Sequence, residues 1–184
     1  MKIIQTSLPD VIVLEPKVFG DQRGFFQETF HAQRYRDVGL PDTFVQDNHS
    51  RSSRGVLRGL HYQLVQPQGK LVSVVRGEVL DIALDIRKSS PTFGQWCAVT
   101  LNDTNHRQMY VPPGFAHGFC VISKEVDFVY KCTDYYHPQS ERGVLWNDPA
   151  LNIDWSIPLD EIMLSEKDKI QPPLAEIAEE DLPA

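Results

Sequence analysis

A polar segment in otherwise β-like sequence carries side chains suited to chemistry. It runs from Gln46 to Arg51 and continues in Arg58-Gly59-Leu60-His61. Asn, His, Ser and Arg side chains make a poor hydrophobic core, because buried polar groups need partners. We therefore expect these side chains to line a ligand-holding lumen at one end of a barrel. The alternative is an edge strand with one solvated face.

The spacing of Arg58 and His61 makes a geometric demand on the strand that carries them. Side chains alternate along a strand, so residues three apart face opposite sides. A bulge or bend at Gly59 would let both side chains reach one pocket. We therefore predict a distortion of the strand at Gly59.

Asp81 and His117 are expected to be partners. Asp81 interrupts a hydrophobic strand, and a carboxylate there needs a compensating group. His117 follows a loop rich in proline and glycine, and a satisfied core histidine is the alternative for it. Lys70 opens a strand and Tyr130 lies within one, where a solvated lysine and a core tyrosine are the usual readings.

The short β-like runs that carry these residues lie about ten residues apart, which is typical of a sandwich, jelly roll or barrel. Only two helices are predicted, at 31–38 and 174–180, and an irregular arm is expected after Trp146. The predicted strands cover residues 11–14, 44–53, 56–63, 70–75, 78–86, 95–101, 107–111, 117–122 and 127–133.

The composition limits the function classes. The net charge of −7 argues against a nucleic-acid backbone binder, although a few Arg and Lys can still form a local anion site. The three cysteines lack CxxC spacing, so neither a disulfide framework nor a zinc knuckle is expected. No apolar run suits a membrane helix or a signal peptide, so we expect a cytoplasmic protein with no membrane partner.

Taken together, the motifs resemble the signature blocks of the dTDP-4-dehydrorhamnose 3,5-epimerase family, in family order and across nearly the whole chain. Any one block would be weak, but the combination is highly specific. The blocks are Phe19–Glu28, Gln46–Ser50, Leu57–His61, Gly69–Val72, Val111–Phe119, Tyr130, Leu145–Pro149 and Leu164–Asp168.

The resemblance implies an all-β fold, a double-stranded β-helix of the cupin or jelly-roll type, with a few short helices and an irregular C-terminal arm. We expect residues 1–184 to form one domain with a core barrel at about 40–135. The resemblance also implies a homodimer with strands exchanged near the N-terminus. The implied substrate is dTDP-4-dehydro-6-deoxy-D-glucose, inverted at C3 and C5 without a metal or other cofactor.

The resemblance also implies roles for individual residues. His61 matches the base, and Asp168 the carboxylate that orients it. Tyr130 matches the acid on the opposite face, and Lys70 the cation that stabilises the enolate. Arg23 and Arg58 match contacts to the diphosphate or nucleotide. The remaining expected substrate-binding residues are Glu28, Gln46, Asp47, Asn48, Asp81, His117, Glu141 and Lys167.

Three other functions remain open. A metal-dependent cupin is disfavoured because Tyr62 and Gln63 follow His61, where an HxH pair would place a second histidine. A 3-epimerase, a 5-epimerase or a 3,4-ketoisomerase could use the same base, cation and nucleotide contacts. A non-catalytic sugar-nucleotide binding module is the third alternative.

Overall fold

The computed structural model describes residues 1–184 and consists mainly of antiparallel strands. The strands are β1 (Lys2–Gln5), β2 (Ile12–Glu15), β3 (Val18–Asp21), β4 (Gly24–Gln27), β5 (Gln46–Ser53), β6 (Leu57–Gln63), β7 (Lys70–Arg76), β8 (Glu78–Asp85), β9 (Trp96–Asn102), β10 (Gln108–Val111), β11 (Phe115–Val121), β12 (Glu125–Cys132) and β13 (Glu141–Gly143). The two α-helices are α1 (Ala32–Arg36) and α2 (Glu166–Lys169).

The strands form two main sheets and a separate hairpin. The larger sheet has the order β1-β2-β10-β7-β12-β5, and the smaller one the order β13-β6-β11-β8-β9. Strands β3 and β4 pair only with each other. All nine predicted strands are present to within two residues at either end, whereas β1, the β3–β4 hairpin and β13 were not predicted.

A hydrophobic core joins the inner faces of the two sheets. Phe119 of β11 stacks on Phe128 of β12, with ring centroids 4.1 Å apart, and both rings belong to this core. Val72 of β7 and Val79 of β8 lie in the same cluster. This packing confirms the all-β, cupin-type fold expected from the sequence.

The C-terminal arm covers the outer face of the smaller sheet. Ile82 and Leu84 of β8 pack there against Trp155, Leu174 and Leu182, in a second core cluster. Strand β8 is therefore buried on both faces, from Val79 to Asp85, and its two buried carboxylates, Asp81 and Asp85, both have hydrogen-bond partners.

The prediction of a helix at 174–180 was wrong. Two 3₁₀ turns, Leu174–Glu176 and Glu179–Asp181, are separated there by the extended residues Ile177 and Ala178. An isolated helix of seven residues gains too few hydrogen bonds to offset its nucleation cost, so packing of the arm decides its conformation. Helix α1 lies inside the predicted range 31–38, and the single turn of α2 was not predicted.

Strand β6 is distorted at Gly59, as predicted. His61 pairs with His117 and Arg58 with Phe119, so two residues of β6 face a single residue of β11. Gly59 has φ +126°, and a Cβ there would lie 2.5 Å from Gly118 Cα. The bulge brings Arg58 and His61 to the same cavity.

Gly59→Ala should therefore destabilise the fold far more than the matched change Gly24→Ala. Gly24 has a similar φ of +129°, but nothing lies within 4 Å of a Cβ built there. Both variants carry the backbone strain, and only Gly59→Ala adds overpacking, worth roughly 1–3 kcal/mol more. Urea unfolding monitored by circular dichroism measures the free energy of unfolding of both variants. Equal losses in the two variants would contradict the claim that Gly118 leaves no room for a Cβ at position 59.

Candidate active site

One cavity of about 560 Å³ opens between the two sheets. Strands β5, β6, β7, β11 and β12 and the arm segment 163–168 supply its walls. The sequence-predicted residues that line it are Asn48, Arg58, His61, Lys70, His117, Tyr130, Lys167 and Asp168. A cavity lined by polar side chains is therefore present as expected, but of the 46–51 segment only Asn48, His49 and Ser50 line it. Asp47 and Arg51 are instead exposed and pair with Lys131 and Asp127, as expected for the solvated face of an edge strand.

His61 and Asp168 form the closest pair in the cavity. His61 Nε2 lies 2.5 Å from Asp168 Oδ1, although 107 positions separate the two residues. Burial opposes ionisation of Asp168, but hydrogen bonds from His61 and Ser165 outweigh it, so its pKa lies below the ordinary value. His61 Nδ1 makes no hydrogen bond and is 4.0 Å from Glu141 Oε1. The imidazole is thus held at one nitrogen and free at the other.

Tyr130 reaches the cavity from the wall opposite His61. His61 is on β6 of the smaller sheet and Tyr130 on β12 of the larger one. Burial raises the pKa of the Tyr130 phenol above its ordinary value. The phenol therefore stays protonated at neutral pH and can donate a proton.

Lys70 begins β7 and lies beside Tyr130 on the larger sheet, where Cys132 pairs with it. Burial lowers the pKa of Lys70, and nearby Cys132, Glu141 and Asp81 offset part of that effect. Lys70 forms neither an ion pair nor a hydrogen bond with another side chain of the chain, so its ammonium can serve a ligand. Lys70 is thus a partly buried cavity residue rather than the solvated lysine that is usual at a strand start.

Asp81 and His117 are partners, as predicted, with 2.8 Å between Asp81 Oδ1 and His117 Nε2. Asp81 is fully buried, and burial raises its pKa despite the histidine. Its Oδ2 has no hydrogen-bond partner. Asp81 does not line the cavity in this chain and acts on it through His117.

Arg58 lines the cavity, and its guanidinium is available to bind an anion. Its guanidinium bonds only to the Ser52 hydroxyl, at 3.1 and 3.3 Å, and no carboxylate neutralises it. Such an unpaired fork suits phosphate oxygens.

Several other predicted residues lie at or beyond the cavity rim. Lys167 Nζ donates to Glu141 Oε1 at 2.8 Å, and Glu141 accepts a second bond from the Tyr136 hydroxyl at 2.9 Å. Gln46 accepts a hydrogen bond from the backbone N–H of Tyr136. Asp47 is exposed and pairs with Lys131.

The structure does not bring Arg23 and Glu28 to the cavity of their own chain. Arg23 lies in the β3–β4 turn, 85% exposed and paired with Asp21. Glu28 follows β4 and pairs with Arg34. The same hairpin exposes the rings of Phe25 and Phe26.

Sequence reasoning missed Ser165, which lines the cavity and hydrogen-bonds to Asp168. The signal was present, because Ser-x-x-Asp is a helix-start pattern. The structure has no group of three or more His, Cys, Asp or Glu side chains that could hold a metal ion, and no helix long and apolar enough to cross a membrane.

The chain is similar to known proteins over nearly its full length. The family model described as dTDP-4-dehydrorhamnose 3,5-epimerase matches residues 5–176. An epimerase of that name from Shigella flexneri is 57% identical over 91% of this chain and 93% of its own length. A dTDP-4-dehydrorhamnose 3-epimerase from Streptomyces niveus is 39% identical over 92% of this chain and 82% of its own length.

A solved structure supports the same relationship. It is the dTDP-6-deoxy-D-glucose-3,5-epimerase of Legionella pneumophila in complex with dTDP-4-keto-L-rhamnose. Its TM-score is 0.96 at 55% identity, covering 99% of this chain and 97% of that one. Sequence, fold and cavity thus agree, and the chain belongs to the dTDP-4-dehydrorhamnose 3,5-epimerase family.

Proposed function

We propose that the chain converts dTDP-4-dehydro-6-deoxy-D-glucose to dTDP-4-dehydro-L-rhamnose by inverting C3 and C5. The observation that carries this proposal is the placement of His61 and Tyr130 on opposite walls of one cavity, with Lys70 beside Tyr130. Inversion at a carbon needs a base on one face and an acid on the other. His61 can act as the base and Tyr130 as the acid, and their positions on opposite walls place them on the two faces of a bound sugar.

The chemistry proceeds through an enolate. A proton on C3 or C5 is acidic because the electron pair left behind delocalises onto the C4 ketone oxygen. His61 takes the proton at Nδ1, the nitrogen that Asp168 leaves free. Asp168 stabilises the resulting imidazolium, as a carboxylate does in a hydrolase triad.

Lys70 and Tyr130 complete each inversion. The Lys70 ammonium stabilises the negative charge on the ketone oxygen, the role of an oxyanion hole. Tyr130 then donates its phenolic proton to the opposite face of the carbon. Solvent reprotonates the phenolate and accepts the proton from the His61 imidazolium, so both groups are ready for the second inversion. The lowered pKa of Lys70 means that this cation is lost at a lower pH than for a solvated lysine.

The nucleotide is held by groups around the cavity mouth. Arg58, which no carboxylate neutralises, binds a diphosphate oxygen. Asn48, His117 and Lys167 line the cavity and contact the sugar nucleotide. Gln46 and Glu141, which both hydrogen-bond to Tyr136, add contacts at the rim, while Asp81 holds His117. Asp47 follows Gln46 on β5, so its side chain faces the other side of the strand, where it would reach a ligand only from outside this cavity.

A 3-epimerase is the second candidate, because the Streptomyces niveus relative carries that name. The identity of 57% to the double epimerase against 39% to the 3-epimerase favours inversion at both carbons. We also propose that residues 1–184 act as one domain, since the arm supplies both Asp168 and core side chains. The cytoplasmic location stays a prediction.

Deuterium wash-in tests the proposed reaction. The protein is incubated with dTDP-4-dehydro-6-deoxy-D-glucose in heavy water, and the sugar is followed by NMR. Label should enter at C3 and C5, with the L-sugar as product. His61→Ala should slow exchange by about 10²–10⁴-fold, the usual contribution of a general base, without loss of dTDP binding.

Other outcomes of the wash-in would change the assignment. Label at C3 alone would indicate the 3-epimerase. Exchange by His61→Ala at the wild-type rate would contradict the role of His61, and binding without any exchange in the wild type would indicate a binding module.

We further propose that the chain forms a homodimer in which the β3–β4 hairpin of one protomer completes the cavity of its partner. The hairpin presents Phe25 and Phe26 at 62% and 68% exposure, together with Arg23. An exposed aromatic patch of this kind is typical of an interaction surface. The arrangement would bring Arg23 and Glu28, which do not line the cavity of their own chain, to a nucleotide.

Mixing two defective variants tests this dimer. His61→Ala protomers keep a complete hairpin, and Arg23→Ala protomers keep a complete catalytic wall. After denaturation and refolding together, heterodimers should regain turnover at low substrate concentration, because each contains one complete site. Light scattering should give the mass of a dimer. A monomeric mass, or no regain of turnover over the sum of the separate variants, would contradict the proposal.

A further inference from the structure

Ser165 makes two hydrogen bonds with the same residue, Asp168. Its Oγ donates to Asp168 Oδ2 at 2.7 Å and accepts from the Asp168 backbone N–H at 3.3 Å. The second bond makes Ser165 the N-cap of α2. One hydroxyl therefore fixes both the backbone and the carboxylate of the residue that holds His61.

The bond to Oδ2 matters because it occupies the second oxygen of the carboxylate. Asp168 Oδ1 contacts His61 Nε2, and a carboxylate held at one oxygen can still rotate about its terminal torsion, which is broad in side chains. Contacts at both oxygens fix the plane of the group. Helix α2 has only four residues, so it gives the carboxylate little rigidity by itself.

Ser165 is in turn held to the strand that carries His61. The N–H of Met163, two residues before it, donates to Gly55 O at 2.8 Å, and Leu57 N–H donates to Met163 O at 3.0 Å. A Cβ at Gly55 would lie 2.2 Å from Glu161 O, so the arm packs directly on this part of the chain. The arm therefore meets the start of β6 just before Ser165.

We propose that Ser165 is a positioning residue that orients Asp168, and through it His61, for proton abstraction. The proposal rests on the proposed function for its kinetic consequence. A rotated Asp168 would leave the imidazole free to turn, and the base would meet the sugar carbon less often in the productive orientation. Ser165 would act on turnover rather than on binding of the nucleotide.

Four variants separate positioning from helix capping. Ser165→Thr keeps the hydroxyl and the cap. Ser165→Gly removes the hydroxyl but remains a tolerated N-cap, and Ser165→Ala removes both. Glu166→Ala is the matched control, because Glu166 lies in the first turn of α2, is 90% exposed and pairs only with Lys169.

The kinetic test compares kcat, KM and the dTDP dissociation constant of these variants. We expect kcat to fall about 10- to 100-fold in Ser165→Ala and Ser165→Gly, the loss that one hydrogen bond to a charged group corresponds to. KM and the dTDP dissociation constant of Ser165→Gly should stay near the wild-type values. Ser165→Thr and Glu166→Ala should retain wild-type kcat.

A second readout does not depend on turnover. In protein labelled with ¹⁵N-histidine, the His61 ring proton bonded to Asp168 is identified by its absence in His61→Ala. This signal should be sharp in the wild type, Ser165→Thr and Glu166→Ala. It should broaden through faster exchange with water in Ser165→Ala and Ser165→Gly.

Wild-type kcat and a sharp signal in Ser165→Gly would overturn the positioning role, as would an equal loss of kcat in Glu166→Ala. A wild-type protein without sugar exchange would overturn the proposed function instead. The ring-proton signal would still decide whether Ser165 orients the His61–Asp168 pair.

Discussion

The contact between His61 and Asp168 is the constraint on which the rest of the site depends. It joins strand β6 to the C-terminal arm across 107 positions of sequence. The arm can deliver Asp168 only because it is held to the barrel by core side chains such as Trp155 and by the Met163 backbone. Packing of the arm on the outer face of the smaller sheet therefore fixes the position of Asp168, and Asp168 in turn fixes the orientation of the His61 imidazole.

The two-sheet architecture supplies the second requirement, which is chemistry on two faces of one carbon. Two facing sheets place side chains from opposite walls across a lumen, and here those walls carry His61 and Tyr130. The apolar part of the interior, with Phe119 stacked on Phe128, holds the walls together beneath the polar part. Burial in this lumen raises the pKa of Tyr130, so the phenol keeps its proton at neutral pH. The same burial lowers the pKa of Lys70, because it removes water from around the ammonium.

Local patterns predicted much of the fold. Alternation and turn residues located the nine strands, and the three-residue spacing of Arg58 and His61 required the bulge at Gly59. The need of a buried carboxylate for a partner identified Asp81 with His117. These inferences succeeded because each depends on neighbours in one strand or on the cost of burying one charge.

Other features depend on contacts between distant segments, which no local pattern contains. Local sequence alone suggests a solvated lysine at Lys70 and a core tyrosine at Tyr130, and only the family resemblance predicted a catalytic role for them. The structure places both beside one cavity. The 174–180 segment has helix-forming composition but takes its shape from the sheet on which it packs. The exposed hairpin with Arg23 is locally an ordinary turn, and its proposed role needs a second copy of the chain.

Tyr130→Phe gives the most direct test of the claim that base and acid act from opposite walls. The variant keeps His61, Asp168 and Lys70, so protons should still be removed to form the enolate. In heavy water we predict that deuterium enters the substrate at C3 or C5 while the sugar keeps its D configuration, because the base can return a proton only to the face it came from. Formation of the L-sugar at the wild-type rate by Tyr130→Phe would contradict the account.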